Sequence, residues 1–222
     1  NKRLEYLVNI AAKQSNTPVT INTYTKVLTN GSETFPKIIE ELKNAKHHIH
    51  IEFYIVRDDE IGKQLKDILI QKAKSGVKVR FLYDAVGSWK LSRGFVKDLQ
   101  RAGVEILPFS PVKIPVLNDT INYRNHRKII VIDSNVGFVG GLNIGDEYLG
   151  KDHYFGKWRD THLFLHGEGV RSLQFIFLQD WYYMTNELID DKEYFDIDTV
   201  NKSSCGAIQL VSGGPDRKHE VI

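Results

Sequence analysis

A chain of 222 residues, 41% hydrophobic and 26% charged, is long enough for one full core or two small domains. Its net charge of +2 does not by itself point to nucleic acid, no apolar run approaches the ~20 residues that cross a bilayer, and the single cysteine, Cys205, rules out an intramolecular disulfide and fits a reducing compartment. The chain begins at Asn1 rather than Met, which reads as a piece of a longer protein.

From the N-terminus, Leu4, Tyr6, Leu7, Ile10 and Ala11 recur at helical spacing, and Asn16-Thr17-Pro18 ends that helix. Val19 to Leu28 reads as short strands, with Asn30-Gly31 as a turn. Thr34 to Lys46 predicts a helix with Phe35, Ile38, Ile39 and Leu42 inward, and His48 to Val56 a strand. Ile61, Leu65, Ile68 and Leu69 predict a helix over Glu60 to Ser75 that Gly76 closes. Val77 to Tyr83 reads as a strand, Ser92 to Ala102 as a helix closed by Gly103, and Val104 to Pro108 as a strand. This alternation predicts an α/β fold with a mixed, mostly parallel sheet flanked by helices. Further on, Lys128 to Ile132 and Val136 to Val139 form a predicted hairpin across Ser134-Asn135, and Asn143 to Leu149 a short helix. Thr161 to His166 is a strand, Gly167 to Asn186 a long amphipathic helix, Asp190 to Ser204 a polar loop and Ala207 to Val211 a last strand, broken by Gly213-Gly214-Pro215.

The chemistry concentrates in Asn125-His126-Arg127-Lys128-Ile129-Ile130-Val131-Ile132-Asp133, followed by Gly140-Gly141-Leu142-Asn143. On an extended segment, positions 126 and 128 point the same way, so a nucleophile and a fixed positive charge face one phosphate. Imidazole is a competent nucleophile near neutrality. The glycine pair lets backbone approach a phosphate closely, or turn with positive φ before Asn143.

These residues resemble the His-Lys-Asp signature of the phospholipase D superfamily. Within it the chain resembles the N-terminal catalytic half of bacterial cardiolipin synthases, through His50-Ile51-Glu52-Phe53-Tyr54-Ile55, Phe81 to Ser88, Phe138 to Tyr148, Trp158-Arg159-Asp160-Thr161-His162 and Phe177-Leu178-Gln179-Asp180-Trp181. The resemblance implies a short N-terminal region (1–30) followed by a phospholipase D-like domain (31–222, motif region 121–148), truncated at its C-terminus and the first of two in the parent. It implies a catalytic set of His126, Lys128 and Asp133, with His126 as nucleophile or general acid. Lys128, Asn143 and Gly141 would hold the phosphate. It also implies phosphatidyl transfer between two phosphatidylglycerol molecules through a phosphohistidine, without metal or cofactor. The setting would be the cytoplasmic face of a bacterial cell membrane, with membrane helices and a second His-Lys-Asp domain supplied by the parent. The isolated chain should be soluble and nearly inactive unless it pairs as a homodimer.

Several assignments rest on single residues. The resemblance implies that Asp160 orients His126; the alternative is a surface pair with Arg159. Asp133, although in the motif, is expected to brace its turn. Asp84 and Glu52 are possible substrate-lining residues. His48 and His50 read better as a packed strand face than as metal ligands. Ser88-Trp89-Lys90-Leu91 and the segment 111–117 either rest on a membrane or anchor loops, and Trp181, Tyr182 and Tyr183 read as core or interface. The competing functions are a dimeric phosphodiesterase or nuclease of the same superfamily, against which the near-balanced charge counts, and a catalytically silent interaction module.

Overall fold

The repeated pattern of buried apolar residues at three- and four-residue steps produces helices that can cover a sheet on one face only. A computed structural model describes residues 6, 8–10, 12, 18–109, 124–195 and 206–212. Its helices are α1 (Asn30–Asn44), α2 (Glu60–Lys74), α3 (Arg93–Arg101) and α4 (Val170–Thr185). Its strands are β1 (Thr20–Thr29), β2 (His48–Phe53), β3 (Lys78–Asp84), β4 (Glu105–Phe109), β5 (Ile129–Ile132), β6 (Val136–Gly140), β7 (Thr161–Gly167) and β8 (Gly206–Ile208). They form one sheet in the order β4-β3-β2-β5-β6-β7-β1-β8.

The helix boundaries follow local chemistry. Asp59 caps α2 by accepting the Gly62 N–H at 3.1 Å, and Ser92 caps α3 by accepting the Phe95 N–H at 3.0 Å. Gly76 and Gly103, both at positive φ, end those helices as the sequence predicts. Two expectations shift. The stretch expected as short strands is one continuous strand, Thr20–Thr29, and Asn30-Gly31 starts α1 instead of making a free turn. Asn30 takes φ 60°, donates its backbone N–H to Asp160 O, and accepts the Asp160 N–H on its side chain at 3.0 Å. That clamp fixes the end of β1 to the start of β7.

The mixed α/β class stands, but the parallel majority does not. Among the described strands only β2–β3 and β3–β4 pair in parallel; the other five pairings are antiparallel. Parallel neighbours need a crossover helix, and only α2 and α3 serve as one; β5 and β6 are joined by a tight hairpin. Its turn is centred on Asp133 and Ser134, both at positive φ, one residue earlier than expected.

Alternate residues face opposite layers. Ile49, Ile51, Phe53, Ile130, Ile132, Phe138 and Phe164 pack with α1, α2 and α3. Ile129, Val131 and Leu165 pack with Val170, Leu173 and Ile176 of α4. On that second face β2 presents His48, His50 and Glu52, all buried. The His50 ring stacks on Phe177 at 4.5 Å and its Nδ1 meets Gln174 Oε1 at 3.1 Å. Burial lowers the His48 pKa to about 3, so these histidines are a packed neutral layer. Among the described residues, no helix is long and apolar enough to cross a membrane.

Candidate active site

Topology gathers the motif at one edge of the sheet. Because β5 runs antiparallel to β2, its N-terminal approach lies beside the carboxyl end of β2, with Glu52 opposite Ile129. The antiparallel sequence β5–β6–β7 then returns the end of β6 and the start of β7 to that same edge. His126, Lys128, Tyr54, Asp84, Gly140, Asp160 and His162 therefore share it, where open α/β sheets hold their ligands.

His126 and Lys128 sit in the irregular segment just before β5. The His126 side chain is exposed and its ring lies 3.9 Å from the Tyr54 ring, centroid to centroid. Tyr54 is itself fixed: its carbonyl accepts the Ser88 hydroxyl at 3.1 Å, and that hydroxyl accepts the Val56 N–H at 3.0 Å. Lys128 Nζ donates to the His126 carbonyl oxygen and stands 5.5 Å over the Tyr54 ring. The three side chains form one group around the end of β2.

Partial burial is the first cause that lowers the His126 pKa, the Lys128 charge is the second, and the Asp84 carboxylate pulls the other way. The imidazole is thereby biased towards its neutral, nucleophilic form. Burial also lowers the Lys128 pKa, opposed by Asp160.

The remaining expected residues are placed differently. Asp133 lies beyond the far end of β5; five extended steps from Lys128 span roughly 16 Å. Its carboxylate accepts the backbone N–H groups of Lys46, His47 and His48, each at 2.8 Å. Its contacts within this chain are those of a brace on the link into β2. Asp160 does not reach His126: Oδ1 accepts the Thr161 N–H at 2.7 Å and Oδ2 the Trp158 indole N–H at 3.3 Å. Nor does it pair with Arg159, whose guanidinium donates to the Asp160 carbonyl and to Thr161 Oγ1. Among the described carboxylates it is the Asp84 charge that raises the His126 pKa, against burial and Lys128. Asp84 and Glu52 are 1% and 2% exposed, so neither lines an opening. Asp84 accepts the N–H groups of Val86 at 2.9 Å, Gly87 at 2.8 Å and Asn125 at 3.4 Å.

Asn143 is also engaged. Its Oδ1 accepts the Ile55 N–H and its Nδ2 donates to Tyr148 Oη, each at 3.0 Å, so the amide braces the β2 end beside Tyr54. Gly141 donates its N–H to Thr161 O at 3.2 Å, and a Cβ there would lie 2.2 Å from Asp160 Oδ1. The glycine pair makes room for the Asp160 side chain and the start of β7.

Sequence reasoning assigned no role to Tyr54, Asn125, His162 or Asp180, although each falls in or beside a segment that carries the resemblance. Lys128, Gly140 and His162 lie in one row, since Gly140 pairs with His162 and position 128 extends the β5–β6 register. His162 is 1% exposed, neither ring nitrogen has a hydrogen-bond partner among the described residues, and burial lowers its pKa to about 4. A Cβ on Gly140 would sit 2.5 Å from His162 Nδ1 and 2.6 Å from the Thr161 carbonyl oxygen. Gly140→Ala should cost about 2 kcal/mol and lower the melting temperature by roughly 4–8 °C, read by thermal denaturation.

Of the candidate segments for lipid contact, Trp89 is 72% exposed with Lys90 Nζ 5.2 Å from its ring, so it is no buried anchor. Trp181 is core at 1%, while Tyr182 and Tyr183 are exposed at 50% and 69%. Residues 111–117 and Cys205 lie outside the described residues.

A mixed sheet between helical layers, with a histidine and a lysine at the edge where its parallel strands end, is the phospholipase D-type fold. The structure is similar to the phosphatidylserine synthase of Haemophilus influenzae Rd KW20, with TM-score 0.61, 17% identity, and coverage of 94% of this chain and 51% of that one. It is also similar to Nuc, a phospholipase D family member from Salmonella typhimurium, with TM-score 0.54, 15% identity, and coverage of 72% and 94%. Residues 38–156 match the family described as "Cardiolipin synthase, PLD-like domain", and the chain belongs to that family. It is 62% identical over 216 residues to the cardiolipin synthase of Geobacillus sp. (strain WCH70), covering 97% of this chain and 43% of that protein. The chain thus spans less than half the length of the curated relatives it matches.

Proposed function

We propose that this chain is one catalytic half of a phosphatidyltransferase that joins two phosphatidylglycerol molecules into cardiolipin and releases glycerol. The observation that carries the reading is the exposed His126 imidazole, held against Tyr54, biased to its neutral form, with the Lys128 ammonium beside it. One imidazole attacks phosphorus, forming an N–P bond as the P–O bond to the glycerol headgroup breaks. A second imidazole protonates that leaving oxygen. The hydroxyl of the other phosphatidylglycerol then gives up its proton to the second imidazole and displaces the phosphohistidine. His126 takes one of these roles and the His of a second His-Lys-Asp domain takes the other. Lys128 stabilises charge on the phosphoryl oxygens.

That division of labour agrees with relatives about twice this length. It makes the isolated chain nearly inactive unless two copies pair. The lipid substrate sets the work at a membrane surface, where the exposed Trp89-Lys90 pair has the amphipathic character that headgroups attract.

The test is to incubate the full-length protein with phosphatidylglycerol labelled in its phosphate, quench, and map the labelled histidine. Label on His126, with cardiolipin and glycerol as products, supports the nucleophile assignment. Label on the other half assigns His126 the acid role. Phosphatidic acid without cardiolipin would show water as the acceptor and move the protein to the hydrolase reading.

A further inference from the structure

His126 stands at the apex of a short turn whose two sides are tied to acids, the buried Glu52 and the half-buried Asp180. The central residue is Asn125, itself 7% exposed. Its Oδ1 accepts the Arg127 N–H at 3.0 Å, closing the turn around His126. Its Nδ2 donates to Glu52 Oε1 and, at 3.3 Å, to Asp180 Oδ2. Asp180, on α4, also receives the Arg127 guanidinium. The strand of the sheet and the helix that covers it are thus joined through one amide next to the candidate nucleophile.

The acids do not fit together as two carboxylates. Among the described residues Glu52 Oε2 is sealed from solvent and meets no donor, and the Glu52 carboxyl lies against that of Asp180. A bare anionic oxygen in that position is costly, and two adjacent carboxylates resist ionising together. The other neighbours do not relieve it. In register beside Glu52, β3 supplies Leu82 and β5 supplies Ile129, both apolar. On β2 itself the nearest residue on the same face is His50, held neutral by burial. Asp84, the last residue of β3, is turned to the Asn125 N–H. The Arg127 guanidinium matches one negative charge, not two.

We propose that Glu52 and Asp180 hold one proton between them, Glu52 Oε2 donating it to Asp180, and that this pair positions His126 through Asn125. Burial first, and the Asp180 charge second, push the Glu52 pKa well above its ordinary range, against smaller opposing effects of Arg127 and Asn125. Glu52 and Asp180 are positioning residues. The positioning half of the inference rests on His126 being the reacting imidazole; the shared proton does not.

The sign of the pH dependence follows. The unfolded chain loses the Glu52 proton near pH 4.3 while the folded chain keeps it, so this group's stabilisation is complete below that pH and declines as pH rises towards the folded value. Gln at 52 reproduces the neutral acid: its oxygen accepts from Asn125 and its amide donates to Asp180, with nothing to titrate. Melting temperatures of the full-length wild type and Glu52→Gln should therefore coincide near pH 4 and diverge upward, the variant gaining about 3 °C or more by pH 7. His48, His50 and His162 titrate in both proteins and cancel in the difference. Parallel curves would overturn the shared proton.

The wild type supplies a check that needs no variant. At pH 7.5 its infrared spectrum should retain the stretch of a neutral carboxylic acid, and absence of that band rejects the proposal. As pH is raised, loss of the band and displacement of the His126 ring resonance in a 13C-histidine spectrum should share a midpoint. A resonance unmoved through that midpoint removes the positioning role. Should both hold while phosphatidylglycerol is not turned over, the proposed reaction falls and the acid pair stands.

Discussion

Replacing His126 with alanine in the full-length protein should lower cardiolipin formation by at least about a thousandfold and leave the melting temperature within about 2 °C. Both halves of that statement come from the geometry. The side chain is exposed, and among the described residues its ring makes no hydrogen bond, only contact with Tyr54, so little folding energy depends on it. The proposed reaction, by contrast, depends on this imidazole, because the rings of His162, sealed at 1% exposure, and of His48 and His50, which lie under α4, are closed to a substrate. Glycerol release measures the loss, and wild-type rates from His126→Ala would remove the imidazole from the chemistry. Lys128→Met supplies an independent reading. It should cost about a hundredfold or more in kcat, as loss of a transition-state donor does. It should also move the acid limb of kcat/KM. In the wild type that limb lies below the ordinary imidazole value of about 6.5, because burial and the Lys128 charge both lower the His126 pKa. Removing the ammonium raises the pKa, so the limb shifts to higher pH. A limb that stays in place would show that Lys128 does not act electrostatically on His126.

How much of this site was legible in the sequence depends on how far apart its partners lie along the chain. Helices α2 and α3 announce themselves through Leu65, Leu69, Phe95 and Leu99 at helical steps and through the glycines that follow, all local signals. The pairing of His126 with Lys128 is likewise local, two residues apart. The bond network around them is not. Asn125 meets Asp180 across 55 residues and Glu52 across 73, and Asn143 meets Ile55 across 88. No periodicity encodes such meetings; they exist because β5 lies beside β2 and α4 crosses both. The same reason explains Tyr194, which lies in a stretch read as a polar loop. It is 6% exposed because its ring packs on His48 at 4.8 Å and its hydroxyl accepts from Arg80 at 3.0 Å. Asn143 was misread for a related reason. Its type and position suit an anion, but the folded chain offers its amide the Ile55 N–H and the Tyr148 hydroxyl first.

Asp133 is where motif membership and geometry separate, and its replacement should act on stability. Asp133→Ala is expected to cost about 3 kcal/mol, lowering the melting temperature by roughly 6–12 °C. Three backbone N–H groups lose an ionised acceptor at once: Lys46 on Oδ2, His47 and His48 on Oδ1. They span the link between α1 and β2 and the first residue of β2, so the loss loosens the entry to the central strand whose far end carries Tyr54. The backbone adds to the cost, because Asp133 takes φ 50°, a conformation that Asp and Asn tolerate better than Ala. Asp133→Asn keeps that tolerance and one carbonyl oxygen for His47 and His48 while forfeiting the Lys46 bond, so it should fall between wild type and alanine, at about 1–2 kcal/mol. Urea denaturation of the three proteins measures the order. Activity separates a brace from a catalytic group: at temperatures where each variant is folded, Asp133→Asn should keep kcat within about tenfold of wild type, far from the loss at His126. A folded Asp133→Asn protein with kcat reduced a thousandfold would place this carboxylate in the chemistry, against the roughly 16 Å of extended chain between it and Lys128.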